Sequence, residues 1–267
     1  MNLDDITLSK ASLKGKVVLI TGATGSIGKA VSLECASYGA TVLLLSKNLK
    51  KLEQLYDDII KYNYPTPIIC PMDLLGANPD DYINLAAQLK SRFKLIDAFI
   101  SCAGIFPSLA PVEYYSEKNW YNIFQVNFHS NFHLTKVLLP LLKNSKSAKI
   151  VFTLPNEHTL NKAFFGAYAS ANAALMSFIK VTAEELENSN ITVTGLYPGE
   201  VLSSMRAKIF PAQDFSSMLL ASKMCTSYVT LLNEKSKKYH AKSIKATTLQ
   251  SSNHEKDASK ILNLEII

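Results

Sequence analysis

Residues 16–28 read Lys-Val-Val-Leu-Ile-Thr-Gly-Ala-Thr-Gly-Ser-Ile-Gly, an apolar strand-like run that leads into three closely spaced glycines. A helix that begins after such a turn exposes free backbone N–H groups and the positive end of its dipole, which together attract anions. Glycine lets the backbone approach a pyrophosphate without a side chain in the way. The stretch therefore predicts a phosphate-binding turn, and a tight strand–helix turn without a ligand is the alternative. Three glycines would give the close approach and three neighbours the N–H or hydroxyl donors: Gly22, Gly25 and Gly28, and Thr24, Ser26 and Ile27.

The rest of the chain alternates between short apolar runs and amphipathic stretches. The strand-like runs lie at 16–21, 41–46, 67–72, 95–101, 148–154 and 191–197. The helix-like stretches lie near 27–38, 49–62, 79–93, 117–144, 166–189 and 213–233. Runs such as Val42-Leu-Leu-Leu45 suit burial on both faces, which is typical of parallel sheets covered by helices. The alternation predicts an α/β fold, a doubly wound parallel sheet flanked by helices on both faces.

Local signals place several boundaries along the chain. Gly39 is expected to end the first helix, and Asn78-Pro79 to begin the third with a capping side chain. Pro140 predicts a kink or break inside the stretch 117–144. We expect one domain over residues 1–235, followed by a polar, lysine-rich extension over 236–267 that forms a weak strand or a mobile tail.

The composition excludes several classes of protein. With 48% hydrophobic and 19% charged residues, the 267-residue chain is typical of an ordered globular protein. Its net charge of +6 comes mostly from scattered lysines, without a recognition module for nucleic acid, so no nucleic-acid partner is expected. The four cysteines have no metal-ligand spacing, and no apolar stretch is long enough for a membrane span. We expect a cytoplasmic protein with no metal site and no membrane association.

Specific motifs then point to one family. Thr21-Gly-Ala-Thr-Gly-Ser-Ile-Gly28 resembles the T-G-x-x-x-G-x-G fingerprint of the short-chain dehydrogenase/reductase family, with Ser26 at the middle glycine. Further matches follow in the family's order over about residues 14–235: Asp73, Ser101-Cys-Ala-Gly104 in place of N-N-A-G, Asn127, Tyr168 and Tyr197-Pro-Gly199. The likeness is greatest to the family's bacterial YciK-like branch. It implies a Rossmann-type fold that binds NAD(H) or NADP(H).

The resemblance also assigns cofactor contacts beyond the phosphate turn, and they are Asp73, Leu74, Ala103, Gly104, Tyr168, Asn172, Pro198 and Gly199. An acidic residue after the second strand would select NAD, whereas a basic residue there accommodates the 2′-phosphate of NADP. The chain has Ser46-Lys47-Asn48 at this place, with no acid, so NADP(H) is favoured over NAD(H). An ordinary surface role for Lys47 is the alternative.

The catalytic positions depart from the family pattern. In the family, a tyrosine exchanges a proton with the substrate oxygen, a lysine four residues later lowers the tyrosine pKa, and a serine hydroxyl binds the same oxygen. This chain keeps Tyr168 and Asn127, but it has Asn172 at the lysine position and Pro155 at the serine position. An asparagine brings no positive charge and a proline brings no hydroxyl. Three nearby polar residues are candidate substitutes: Thr153, Asn156 and His158.

Two functions therefore remain open. The first is an NADPH-dependent reductase of small apolar carbonyl compounds, or a dehydrogenase of the matching alcohols, with impaired turnover. The second is a catalytically inactive protein that binds a dinucleotide and acts as a sensor or an interaction module. Apolar segments at 104–116 and 199–215 favour a hydrophobic substrate in the first case. The resemblance also implies a homodimer or homotetramer formed through the helices at 117–144 and 166–189.

Overall fold

The computed structural model describes residues 8–155, 162–216, 218–246 and 264–266. The strands are β1 (Val17–Thr21), β2 (Thr41–Ser46), β3 (Ile68–Pro71), β4 (Ala98–Ser101), β5 (Ala148–Thr153), β6 (Ile191–Tyr197), β7 (Ser243–Ala246) and β8 (Leu264–Ile266). The α-helices are α1 (Ser26–Ser37), α2 (Leu49–Lys61), α3 (Pro79–Arg92), α4 (Glu117–Phe124), α5 (Ser130–Lys143), α6 (Gly166–Glu185), α7 (Ser204–Ile209), α8 (Ala221–Met224) and α9 (Thr226–Leu231).

The strands form one sheet in the order β3-β2-β1-β4-β5-β6-β7-β8, parallel from β3 to β7. Only the β7–β8 pair among the described strands is antiparallel. The chain moves outward from β1 to β3 and then returns to the other side of β1 with β4. In doubly wound sheets, this reversal opens a crevice at the carboxyl ends of the strands, where ligands bind.

Each face of the sheet buries its own apolar core. Val18 and Ile20 of β1 lie in the core beneath α1, α2, α8 and α9, whereas Leu19 lies in the core beneath α3, α5 and α6. Successive residues of β1 point to opposite faces of the sheet and are apolar on both, because helices exclude water from both faces. The predicted α/β fold, a doubly wound parallel sheet flanked by helices, is confirmed.

The helix boundaries predicted from capping signals are also confirmed. Helix α1 ends at Ser37, and Gly39 follows with a φ of 94°. Helix α3 begins at Pro79 with a complete capping box, in which Asn78 and Asp81 each bond the other's backbone N–H. These ends are set by a few adjacent residues, so the sequence alone determines them.

The long stretch 117–144 is interrupted at a different place from the one predicted. Residues Gln125–His129 form a π-helical segment between α4 and α5. Helix α5 runs through Pro140, so a break at this proline is wrong. The interruption instead holds Asn127, one of the predicted site residues.

The chain after β6 also differs from the sequence pattern. The prediction of a single helix over 213–233 is wrong. The backbone of Leu219 pairs with Glu200 and Leu202 in an isolated bridge, and the shorter helices α8 and α9 follow it. Beyond residue 235, β7 pairs with β6, and Tyr239 and Ile244 are buried in the core beneath α1, α2, α8 and α9. The boundary at residue 235 stays a prediction, but the sheet continues past it. Within the described ranges, no helix has the length and apolar character needed to cross a bilayer.

Candidate functional site

The turn between β1 and α1 requires two of its glycines. A Cβ on Gly28 would lie 2.1 Å from the carbonyl oxygen of Gly22, so the helix packs directly on the turn. Gly22 has a φ of 61°, and a Cβ there would lie 2.8 Å from backbone atoms of Ala103. Helix α1 begins at Ser26 after Gly25, with no side-chain cap on its first turn. The N–H groups of that turn are therefore available to an anion.

Two hydroxyls of the turn are engaged by neighbouring segments. Thr24 Oγ1 and Ser46 Oγ lie 2.6 Å apart, which joins the turn to the end of β2. Ser26 Oγ accepts a hydrogen bond of 3.3 Å from the backbone N–H of Ser204, the first residue of α7. The side chain of Ile27 packs against the core, so its backbone N–H is the group that a ligand can use.

The two outer strand ends hold the residues predicted to contact the adenosine half of a cofactor. Lys47 is exposed directly after β2, and none of the ion pairs among the described residues involves it. Asp73 is exposed after β3, and its Oδ1 accepts a hydrogen bond of 3.1 Å from the N–H of Leu75. Leu74 is buried in the core, and its carbonyl accepts from the Gln125 side chain at 3.3 Å.

The end of β4 is fixed by hydrogen bonds to the side chains of Thr21 and Asn127. Thr21 Oγ1 accepts from the N–H groups of Cys102 and Ala103, both at 3.3 Å. The Asn127 side chain bonds both backbone groups of Ile105, accepting from its N–H at 2.8 Å and donating to its carbonyl at 3.0 Å. A Cβ on Gly104 would lie 3.7 Å from Asn127 Oδ1. Asn127 thus holds the chain that leaves β4, with both ends of its amide in use.

Tyr168 lies in the first turn of α6 with an aromatic ring stacked on its own. The Phe106 ring is 4.5 Å from it, centroid to centroid, at an interplanar angle of 19°. Burial raises the pKa of Tyr168 to about 12. The family pattern would place a cation here to lower this pKa, but position 172 is a neutral amide.

The Asn172 side chain turns back onto its own helix. Its Nδ2 donates a hydrogen bond of 2.8 Å to the backbone carbonyl of Tyr168. The residue is buried, and a short side chain four residues along a helix reaches the preceding turn of backbone more readily than a neighbouring ring hydroxyl. Asn172 therefore lies next to Tyr168 without adding charge.

The serine position and its candidate substitutes lie at the end of β5. Pro155 follows the strand and is partly buried. Thr153 Oγ1 is 2.8 Å from the Tyr228 hydroxyl and also bonds Cys102 Sγ, so the threonine hydroxyl is held by α9 beneath the sheet. This engagement weighs against a rescuing role for Thr153, which stays a prediction. Asn156 and His158 lie outside the described residues.

The segment after β6 closes over the same end of the sheet. Pro198 is buried, and Gly199 is exposed with a φ of 84°. Helix α7 then crosses toward β4, since Met205 Cε would lie 4.0 Å from a Cβ on Gly104. This approach and the Ser26–Ser204 hydrogen bond arise from residues far apart in the chain, so no local sequence pattern indicates them.

An aromatic series continues from Tyr168 to α7. Phe106 is 5.1 Å from Phe165, and Phe165 is 6.3 Å from Phe210, centroid to centroid. Arg206 lies over the Phe210 ring and pairs with Glu200 at 3.1 Å. Phe106 and Phe210 belong to the segments 104–116 and 199–215, which were expected to shape a substrate pocket; Phe106 stacks on Tyr168 and Phe210 packs near Phe165. Tyr114, expected there as well, is largely exposed.

The strand order and the glycine turn define a doubly wound protein of the nucleotide-binding type, with a tyrosine helix beside its crevice. The family model for short chain dehydrogenases matches residues 16–214. The Escherichia coli oxidoreductase YciK is 30% identical over 226 residues, which are 85% of this chain and 89% of the relative. This chain belongs to the short-chain dehydrogenase family.

Solved structures of the family agree with this fold. A short chain dehydrogenase of Escherichia coli complexed with NADPH superposes with a TM-score of 0.85 at 28% identity, covering 89% of this chain and 98% of that one. A short chain dehydrogenase of Shigella flexneri complexed with NADP gives a TM-score of 0.84 at 28% identity, covering 88% of this chain and 98% of that one. The family assignment and its YciK-like branch, expected from the motifs, are both confirmed.

Proposed function

We propose that this protein binds NADP(H) and reduces a small apolar carbonyl compound, with turnover impaired by Asn172 and Pro155. The observation that carries the proposal is the glycine turn, where Gly28 packs on the Gly22 carbonyl and leaves the first turn of α1 uncapped. The residues that would hold the cofactor are those of this turn, with Lys47, Asp73, Leu74, Ala103, Gly104, Tyr168, Asn172, Pro198 and Gly199. When bound, the reduced nicotinamide would supply the hydride.

The preference for NADP(H) rests on Lys47. Its exposed ammonium directly follows β2, where a 2′-phosphate would lie, and two structural relatives are complexed with NADP and NADPH. We expect NADPH to bind more tightly than NADH in a titration followed by nicotinamide fluorescence. Binding of neither dinucleotide would contradict the proposal.

Lys47→Ala is expected to weaken NADPH binding by about threefold to tenfold and to leave NADH binding unchanged, since only NADPH carries the 2′-phosphate. Lys50→Ala is the matched control, because Lys50 is an exposed lysine in the first turn of α2, close to Lys47 in the sequence. Lys47 would be excluded from the site if both variants lost the same NADPH affinity, or if Lys47→Ala weakened NADH binding as much as NADPH binding.

The proposed chemistry uses Tyr168 as an acid. Reduction requires the neutral phenol, which donates a proton to the substrate oxygen, whereas oxidation requires the phenolate as a base. Because the pKa of Tyr168 is about 12, the phenol is fully populated near pH 7 and the phenolate is scarce. The ionisation of Tyr168 is thus expected to cause no pH dependence of the reduction rate over the neutral range.

The pH dependence follows from the same pKa. At pH 7 the turnover rate of reduction is expected to exceed that of alcohol oxidation. The oxidation rate should rise about tenfold per pH unit toward pH 10, since the phenolate fraction rises by that factor below the pKa. Initial rates at saturating substrate in both directions test this, and comparable rates at pH 7 would contradict it.

A catalytically inactive, dinucleotide-binding protein is the second candidate. The hydrogen bond from Asn172 Nδ2 to the Tyr168 carbonyl favours it, because this bond holds the amide against its own helix and an amide brings no charge to Tyr168. Tight NADPH binding without turnover of any carbonyl, even after repair of both altered positions, would select this function. The protein would then act as a sensor or an interaction module.

The remaining proposals concern substrate, assembly and location. Phe106, Phe165 and Phe210 support an apolar substrate. Exposed apolar side chains on α5 and α6, Phe132 and Val181, support a homodimer or homotetramer. Ala167 and Ala171 pack against α4 of the same chain, so they do not add to that surface. The free thiols support a cytoplasmic location.

A further inference from the structure

A small cavity lies on the outer side of α4, apart from the strand ends. Its volume is about 170 Å³. It is lined by one valine, three aromatic residues and one carboxylate: Val112, Tyr115, Glu117, Trp120 and Tyr121. None of these residues belongs to the proposed dinucleotide site.

Two of the aromatic rings form a rigid corner. The Tyr115 and Trp120 ring centroids are 5.8 Å apart and their planes meet at 89°. Both rings pack on Gly166, where a Cβ would lie 3.2 Å from the Tyr115 ring and 3.7 Å from Trp120. Trp120 also stacks on Phe124, with centroids 5.6 Å apart. The corner is therefore built before any ligand arrives.

The third ring and the carboxylate complete the lining. Tyr121 is 70% exposed, so its ring is accessible to a ligand from solvent. Glu117 is exposed in the first turn of α4 and forms no ion pair among the described residues. The Tyr115 hydroxyl is buried and has no hydrogen-bond partner within the described part of the chain. Glu117 thus brings a negative charge to the rim of the cavity, whereas the Tyr115 hydroxyl is sealed within the protein.

This combination selects for charge as well as shape. The faces of aromatic rings carry negative potential, and tyrosine and tryptophan rings around one point attract a cation. A carboxylate at the rim strengthens that attraction and repels anions. The positive end of the α4 dipole opposes it, but Glu117 lies at that end and offsets the dipole directly.

We propose that this cavity binds an alkylated ammonium group, either on a small molecule or on a methylated lysine side chain of another protein. An alkylated ammonium is bulky and weakly hydrated, so it loses little solvation when the three rings replace water. Glu117 disfavours a carboxylate or phosphate ligand, because like charges repel. A purely apolar ligand would make no use of that carboxylate.

The only tryptophan in the chain reports on the cavity directly. Trp120 is that residue, so its fluorescence gives a signal without a label. Titration with tetramethylammonium chloride and with choline chloride, against sodium chloride of equal ionic strength, is expected to give a saturable change. The carbon isostere of choline, 3,3-dimethylbutan-1-ol, has the same shape without the charge and should give a change at least about threefold weaker.

Two variants with matched controls complete the test. Glu117→Gln and Tyr121→Ala should each raise the Kd for tetramethylammonium by about threefold to fivefold. Glu113→Gln and Tyr62→Ala change exposed residues outside the cavity and should leave the Kd unchanged. Equal binding of the isostere, no saturable change, or an unchanged Kd for Glu117→Gln would overturn the proposal.

A peptide arm separates the two sources of the ligand. A short peptide that carries trimethyllysine and its unmethylated counterpart are titrated in the same way. Tighter binding of the methylated peptide than of choline supports a protein partner, and the reverse order supports a small molecule. NADPH binding is measured separately, so its failure would leave this site untouched.

Discussion

Asn172→Lys combined with Pro155→Ser is expected to raise the rate of carbonyl reduction by about 10²-fold or more. A hydroxyl at 155 would restore a donor to the substrate oxygen, and the loss of one such donor typically costs about 10²–10³ in rate. An ammonium at 172 would lie one helical turn from Tyr168, and an opposite charge within about 4–6 Å lowers a pKa by about 1–3 units. NADPH consumption with a panel of apolar ketones and aldehydes measures the gain.

Two controls assign the gain to the intended groups. Asn172→Gln with Pro155→Ser lengthens the amide without adding charge, so it should show only the serine part. Tyr168→Phe in the repaired protein should remove the gain. An ultraviolet titration of the tyrosinate needs no substrate, and Asn172→Lys should bring the pKa of Tyr168 below its present value of about 12. If NADPH still binds but neither rate nor pKa moves, the scaffold has lost more than these two side chains.

Gly28→Ala is expected to destabilise the protein by about 3 kcal/mol or more and to abolish NADPH binding. The added Cβ would lie 2.1 Å from the Gly22 carbonyl oxygen, and its nearest neighbours are all backbone atoms of Gly22 and Ala23, so no flexible side chain can move aside. Helix α1 would have to shift off the turn, which costs at least as much as an overpacked core. Equilibrium unfolding in urea and an NADPH titration measure the two effects.

A graded series of glycines makes this result specific. At Gly25 the added Cβ would lie 3.2 Å from the same carbonyl, so Gly25→Ala should cost clearly less than Gly28→Ala. At Gly76 nothing lies within 4 Å, so Gly76→Ala should stay within about 0.5 kcal/mol of the parent. Similar losses at all three positions would mean that the close packing of α1 on the turn is not what limits stability.

The central strands and the first three helices follow from local sequence. Strands buried on both faces are continuous apolar runs, and Asn78, Pro79 and Gly39 mark helix ends through contacts with their immediate neighbours. The π-helical segment and α7 were not predicted, and β7 was expected only as a weak strand without a position within residues 236–267. Two of these elements meet residues distant in the chain, since α7 is joined to Ser26 through Ser204 and β7 pairs with β6.

In the candidate site too, some features could be predicted from local sequence and others depend on the folded chain. Sequence spacing identified Tyr168 and Asn172 as neighbours on one helix face, but it could not show that the Asn172 amide bonds the backbone. It also suggested that Thr153 points toward the site, whereas its hydroxyl meets Tyr228, which lies 75 residues away in the chain. The stack of Phe106 on Tyr168 likewise joins a loop to a helix that no local pattern connects. Side-chain direction is decided by packing, so it appears only in the folded chain.

The π-helical segment sets the angle about the axis at which α4 meets α5. A π turn holds one residue more than an α turn, so the helix beyond it is rotated by about 100° relative to an uninterrupted α-helix. With this offset Ile123 packs on α6, while Leu134 and Leu138 pack on the sheet. Removing one residue from the segment would turn one of these apolar stripes toward water. The number of residues in this segment therefore determines how far α5 is rotated about its axis relative to α4, which packs on α6, the helix of Tyr168. This rotation is independent of which side chains the segment carries.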